Sequence, residues 1–280
     1  MDTEPITTLN EIIVEPPKGW FNLHLLETWD YRELLYFLVW RDIKVRYKQT
    51  LLGATWAVIQ PLMTMVIFSV IFGKLAKLPS DGIPYPIFSY TALLPWQLFS
   101  RALSDASGSL VNNQAFVTKI YFPRLFLPAS SILSGLVDFL IALLILFGMM
   151  WFYHIEFTTK IFILPVLVLF TLITCMAVAM WLAAFNVKYR DVKYALSFLV
   201  QIWMYATPVA YSSSIVPEQW RSLYGLNPMA GVVEGFRWAL LGQQSALGSL
   251  IGVSALTVIP LFIGGLIYFQ RMERSFSDII

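Results

Sequence analysis

Trp40 to Leu62 reads WRDIKVRYKQTLLGATWAVIQPL, a basic amphipathic segment that runs without a linker into a hydrophobic one. At helical spacing Trp40, Ile43 and Tyr47 fall on one side and Arg41, Lys44 and Lys48 on another, the division expected of a helix lying at a membrane surface. From Leu51 to Phe72 the only strongly polar side chain is Gln60. About 22 residues at about 1.5 Å each reach roughly 33 Å, enough to cross the hydrocarbon core. The stretch therefore reads as an interface helix, residues 31–48, feeding a first membrane span, residues 51–72.

The same apolar character recurs along the chain. Apolar residues fill 58% of the 280 positions and mean hydropathy is +0.69, more than one soluble domain buries, and they are gathered in long blocks. The expected fold class is an all-α membrane protein with spans at about 51–72, 87–110, 127–153, 161–185, 194–211 and 247–269, the second and fifth interrupted by Ser, Thr and Gln. The first residues, MDTEPITTLNEI, lack a basic start and an apolar core, so no cleavable signal peptide is expected. Residues 1–30, with Pro16, Pro17 and Gly19, read as a cytoplasmic tail ahead of a single domain, residues 31–280.

Six spans put both ends on one side. With the N-terminus inside, thirteen Lys and Arg fall in cytoplasmic segments and five, Lys74, Lys77, Lys160, Arg221 and Arg237, in outer loops, which predicts an N-in, C-in topology. The single cysteine, Cys175, lies in an apolar block and has no intrachain disulfide partner. Two connections exceed a simple turn. The inner one, NNQAFVTKIYFP at residues 112–123, reads as a short helix on the cytoplasmic face. The outer one, from Ser212 to about Ala246, carries Pro217, Asn227 and Pro228 and then GVVEGFRWALLG, which is apolar but too short to cross, so a pair of short helices dipping into the outer leaflet or capping a cavity is expected.

The chain has no GxxxxGK[ST] loop, and its GK pair, Gly73 and Lys74, is followed by Leu75, so nucleotide energy must come from another chain. His24 and His154 stand far apart without a cysteine pair or HExxH, and no metal site is expected. No nucleophile with an adjacent base is found, so no catalytic residue is assigned. Asp138 sits about ten residues into the third span, roughly 15 Å deep, where an ionised carboxylate needs a partner. Arg101, late in the second span, is the candidate: an Arg101–Asp138 pair would fix the packing of the two spans, with an Arg101–Asp105 pair or a water-lined site as alternatives. A structural pair is preferred over a proton relay, which normally uses more than one buried acid. Aromatic residues recur in three spans: Trp56, Phe68 and Phe72; Tyr90, Trp96 and Phe99; Trp203, Tyr205 and Tyr211. Together they could form a smooth path for a sugar polymer, whose C–H faces stack on rings; singly, each is better explained as a packing or lipid-facing residue. The spacings Gly231 to Gly235 and Gly248 to Gly252 allow close helix approach.

The opening run, PWQLFS at residues 95–100, KIYFPR at 119–124, NVKYRDV at 186–192 and LNPM at 226–229 together resemble the permease subunit of ABC-type polysaccharide exporters, in particular the Wzm-type O-antigen permeases, with capsule and teichoic-acid permeases as relatives. The likeness runs from about Gly19 onward. It implies a homodimer in the bacterial inner membrane, in contact with membrane lipid. Each subunit would rest on a separate ABC ATPase subunit that binds ATP and Mg, so that this chain carries no cofactor and no nucleic acid. The implied cargo is a polysaccharide linked to undecaprenyl diphosphate. A coupling helix is implied at about Asn113–Pro123, short outer helices at about Val216–Gln243, and a channel lined by the first and fifth spans. In that frame Arg41, Lys44, Arg46 and Lys48 lie where the lipid diphosphate would load, or they anchor the interface helix to anionic lipid. Phe116, Lys119 and Tyr121 would pass ATPase motion to the spans. Two alternatives remain: a related permease for drugs or small lipids, and a membrane-embedded sugar transferase, whose candidate acids Asp42 and Asp191 lie within basic stretches.

Overall fold

A computed structural model describes residues 31–48, 55–243 and 247–279. The expected tail, residues 1–30, and the first four positions of the first span lie outside the described residues. Ten α-helices follow one another among the described residues, with no strand: α1 (Arg32–Lys48), α2 (Thr55–Phe68), α3 (Tyr85–Asn112), α4 (Gln114–Lys119), α5 (Phe126–Phe152), α6 (Leu164–Lys188), α7 (Val192–Ala206), α8 (Glu218–Tyr224), α9 (Pro228–Leu241) and α10 (Leu247–Ile279). A π-helical stretch, Ser69–Leu75, prolongs α2, and a 3₁₀ turn, Thr159–Ile163, leads into α6.

Local chemistry sets several boundaries. Pro86, Pro165 and Pro228 stand in the first turns of α3, α6 and α9, where a missing N–H removes no helical hydrogen bond. Asn227 caps α9 by accepting from the Met229 N–H at 3.1 Å, and Gly242, at φ +73°, ends it in the left-handed conformation that glycine adopts without strain.

The bundle is built around α3. Every residue from Ile87 to Trp96 on it is buried, and α3 packs on α2, α5, α6 and α9. Its polar residues are absorbed by their own helix: Thr91 Oγ1 donates to the Ile87 carbonyl at 2.8 Å, and Ser109 Oγ to that of Ala106 at 2.8 Å. Asn186 of α6 donates to the Ser107 carbonyl at 2.9 Å and ties α6 to α3. On its other side α6 meets α10. The Trp181 indole lies over Gly264 and Gly265, donates to the Leu261 carbonyl at 3.0 Å and stacks on Tyr268 at 5.1 Å. A Cβ on Gly265 would stand 2.9 Å from the Ala177 carbonyl, so glycine is what lets these helices touch. The glycine spacings divide likewise: Gly231 abuts Ser254 of α10 and Gly235 abuts Leu167 of α6, whereas nothing lies within 4 Å of where a Cβ would stand on Gly248 or Gly252.

Among the described residues, four helical stretches have the length and composition to cross a membrane: Thr55–Leu75, Phe126–Phe152, Thr159–Lys188 and Leu250–Glu273. The two weaker expected spans fare differently. With 28 residues α3 reaches about 42 Å by helical rise, but its composition is that of a helix covered by protein. The fifth, expected to run to residue 211, ends as a helix at Ala206, just before Thr207 and Pro208. Its 15 residues give about 22 Å, less than the hydrocarbon thickness. The last helix departs in the opposite sense, running past residue 269 to Ile279 because Phe269 and Phe276 are both fully buried. They belong to a second hydrophobic cluster with Leu38 of α1, Val117 of α4 and Phe126 of α5, separate from the main core around α3.

Candidate functional site

Three helices bring charged groups together where the C-terminal turn of α1 meets the bundle, and a fourth, α2, adds the Gln60 amide. Arg46 donates through Nη1 to Asp138 Oδ2 of α5 at 2.8 Å and through Nη2 to Asp105 Oδ2 of α3 at 2.8 Å. Arg101 of α3 donates to the same Asp138 Oδ2, and its other terminal nitrogen reaches Gln60 Oε1 of α2 at 2.9 Å. The Tyr47 hydroxyl donates to Asp138 Oδ1. Burial and that hydrogen bond push the Tyr47 phenol up from its ordinary value, so it stays protonated and remains a donor. Two guanidinium groups thus face two carboxylates, and Asp138 takes three donors. A desolvated carboxylate is held most strongly by such charge-assisted bonds. Arg101 and Asp138 also line a small, partly open cleft between α2, α3 and α5, together with Pro61, Gln97 and Gly135.

The expected Arg101–Asp138 contact is therefore present, within a larger set that sequence spacing did not suggest. Asp105 is bound by Arg46 instead of by Arg101 one turn away.

The four basic residues assigned to substrate loading separate. Arg46 is turned into the bundle. Arg41 binds Asp42 at 2.8 Å and lies 5.5 Å from the Phe116 ring of α4, while Asp42 also accepts from Ser130 of α5 at 3.0 Å. Lys44 and Lys48 are exposed, Lys44 with its ammonium 5.3 Å from the Trp40 ring.

Within the coupling segment, helix forms only over Gln114–Lys119. Phe116 is half-buried, Lys119 is exposed, and Tyr121 is 69% exposed. The aromatic set divides by helix. Tyr90, Trp96 and Phe99 are buried in the core because this part of α3 is packed against its neighbours, and Phe68 is buried edge-on against Phe72 at 5.2 Å. Trp203 meets Phe99 edge-on at 5.1 Å and donates to Asn227 Oδ1 at 2.9 Å, and the Tyr211 hydroxyl bonds that of Tyr224 at 2.8 Å. Among the nine, Trp56 of α2 and Tyr205 of α7 are the exposed rings, so within this chain the α3 aromatics pack and do not line a path.

One buried pair was missed. By sequence Arg237 reads as an outer-loop cation, yet it is 0% exposed. It donates to Glu234 Oε1 at 3.0 Å and to the carbonyls of Val209 at 3.0 Å and Tyr211 at 3.2 Å, with its guanidinium 3.6 Å over the Phe88 ring. The clue was available: Glu and Arg at i, i+3 inside an apolar run face the same side. Among the described residues, no cluster of three metal-ligating side chains forms.

Residues 33–241 match the ABC-2 type transporter family. Over 257 residues the chain is 31% identical to the O-antigen export system permease protein RfbA of Myxococcus xanthus, covering 90% of this chain and 98% of that one. It is 27% identical over 250 residues to the RfbA permease of Klebsiella pneumoniae, covering 89% and 95%. With the polysialic acid transport protein KpsM of Escherichia coli it shares 25% over 242 residues, covering 85% and 93%.

Proposed function

This chain belongs to the ABC-2 type transporter family, and from that premise we propose that it exports undecaprenyl-diphosphate-linked polysaccharide of the O-antigen class across the inner membrane, driven by ATP hydrolysed in a separate subunit. It is an integral inner-membrane permease. The observation that carries the polysaccharide reading is likeness along 98% of the length of a permease named for O-antigen export, at 31% identity. The 25% identity to a polysialic acid transporter supports a capsule-type cargo less strongly. The transferase alternative loses one candidate acid, since Asp42 is engaged by Arg41 and Ser130.

In this reading two copies pair, each over residues 31–280, with α3 and α7 completing six crossings, both chain ends in the cytoplasm, and each copy seated on one ATPase. The shortness of α7 is made up by the segment Thr207–Tyr211 or by local thinning of the bilayer. ATP binding draws the ATPases together and displaces α4. Arg41, set against Phe116, carries that movement to α1. Arg46 and Tyr47 carry it on to α2, α3 and α5 through Asp138, Asp105 and Arg101. Lys44 and Lys48 are the cations left facing outward for a diphosphate or an anionic headgroup.

The test is ATP hydrolysis by the permease and its ATPase in nanodiscs. Lipid-linked glycan should stimulate it several-fold over undecaprenyl phosphate alone. Equal rates with both lipids would remove the glycan from the account.

A further inference from the structure

The turns of α10 that run beyond the expected end of the last span contact the segment just ahead of α5. Glu273 Oε1 accepts the backbone N–H of Arg124 at 3.1 Å, and the Arg124 guanidinium donates to the Glu273 carbonyl. That guanidinium also stands 6.0 Å over the Phe276 ring, which is fully buried and edge-on to Phe269 at 5.4 Å. Arg124 lies two residues before α5, and α5 has no side-chain cap of its own at Leu125. The α5 donors at Phe126 and Leu127 are met by the Pro123 and Arg124 carbonyls, so what Glu273 holds from another helix is the N–H just ahead of α5, near the positive end of its dipole.

We propose that Glu273 is a positioning residue of the transport cycle: by holding the backbone just ahead of α5 from α10, it makes the junction between α4 and α5 move as one piece with the last span. The segment it holds, from Ile120 to Leu125, is extended or turn-like and joins α4 to α5 with few bonds of its own. Val117 of α4 and Phe276 of α10 share one hydrophobic cluster, which continues the contact on the apolar side. With Glu273 in place, a push on α4 reaches α10 directly as well as α5. Without it, α4 is tethered mainly through α3 and the cluster. The coupling role of α4 rests on the export reading above; its tether to α10 does not.

The two are tested separately. Thr118 and Arg271 are both exposed, so nitroxide labels at T118C and R271C report the α4 to α10 distance in the chain alone, in nanodiscs; Cys175 is fully buried. E273A should broaden that distance distribution, whereas E273Q, which keeps an acceptor for the Arg124 N–H, should leave it narrow. In the complex with its ATPase, E273A should cut glycan export about tenfold, the cost of a lost hydrogen bond to a charged group, while the ATPase still copurifies and E273Q exports normally. A narrow distribution in E273A, or equal damage from E273Q, overturns the proposal. If E273A fails to insert, E273D, which withdraws the carboxylate by one methylene, must show intermediate broadening, and a wild-type distribution in E273D overturns it equally. Loss of export by the unaltered complex would instead contradict the export reading, leaving the distance measurement to decide the tether.

Discussion

Arg46 and Asp138, 92 positions apart, are joined at 2.8 Å, and the same guanidinium reaches Asp105 at 2.8 Å. Through that contact the surface helix α1 becomes part of the bundle. An interface helix held by lipid alone could slide without disturbing the spans; one pinned by Arg46 to α3 and α5 cannot.

The hub predicts an order of sensitivity. Asp138→Ala removes the acceptor of three donors in a largely buried position, 12% exposed, and should cost about 3 kcal/mol, the lower end of the range for a broken buried pair. Asp105→Ala, at 41% exposure, should cost about 1 kcal/mol or less. Thermal unfolding of the purified permease in one detergent checks the ranking, and equal losses at both positions would show that the hub is not centred on Asp138.

Charge exchange between Arg101 and Asp138 is a natural test of an isolated pair, and here it should fail. R101D/D138R places an arginine at 138 directly against Arg46. Insertion and stability should recover only when R46Q is added. Rescue by the double variant alone would show that Arg46 does not engage Asp138.

The basic cluster should respond unevenly. Lys44→Gln and Lys48→Gln change exposed groups, so stability should hold while glycan-stimulated hydrolysis weakens and loses part of its salt dependence. Arg46→Gln should lower the unfolding temperature instead. A stable Arg46→Gln that selectively loses glycan stimulation would return Arg46 to substrate binding.

Export and hydrolysis should separate at α4. Tyr121 is 69% exposed, so Tyr121→Ala leaves the fold intact and should retain ATP hydrolysis with export reduced about tenfold or more. Phe116→Ala, which also removes the ring beneath Arg41, should act in the same direction. Normal export by both variants would remove α4 from the coupling path.

Glycine positions give a fold control. A Cβ on Gly231 would fall 2.5 Å from the Ser254 side chain, so Gly231→Ala should force α9 and α10 apart at about 1–3 kcal/mol. Gly252→Ala meets nothing within 4 Å and should be neutral for the fold of the single chain. Unfolding curves of the two variants compare them directly.

The long apolar blocks were legible because crossing a membrane leaves a periodicity-free hydrophobic signal about twenty residues long. The three accessory segments were legible for the opposite reason, being too polar or too short to cross. What sequence spacing hid was burial by protein. The serines and threonines of α3 look like interruptions of a span until their hydroxyls are seen on the carbonyls of their own helix. Arg237 reads as a loop cation until α3, α9 and the segment after α7 close around it. Half of the site was visible: Arg101 and Asp138 drew attention because charge inside an apolar run needs a partner. Arg46 did not, because a basic residue on a surface helix already has a sufficient explanation. Its direction is set by tertiary packing of α1 on α5, which local pattern does not encode.

The most direct measurement of the central claim is the fate of the glycan in cells from which this gene is deleted. Surface polysaccharide should disappear while undecaprenyl-diphosphate-linked polymer accumulates on the cytoplasmic side, and the intact gene should reverse both. Normal surface polysaccharide, or its loss without trapped lipid-linked polymer, would contradict the account.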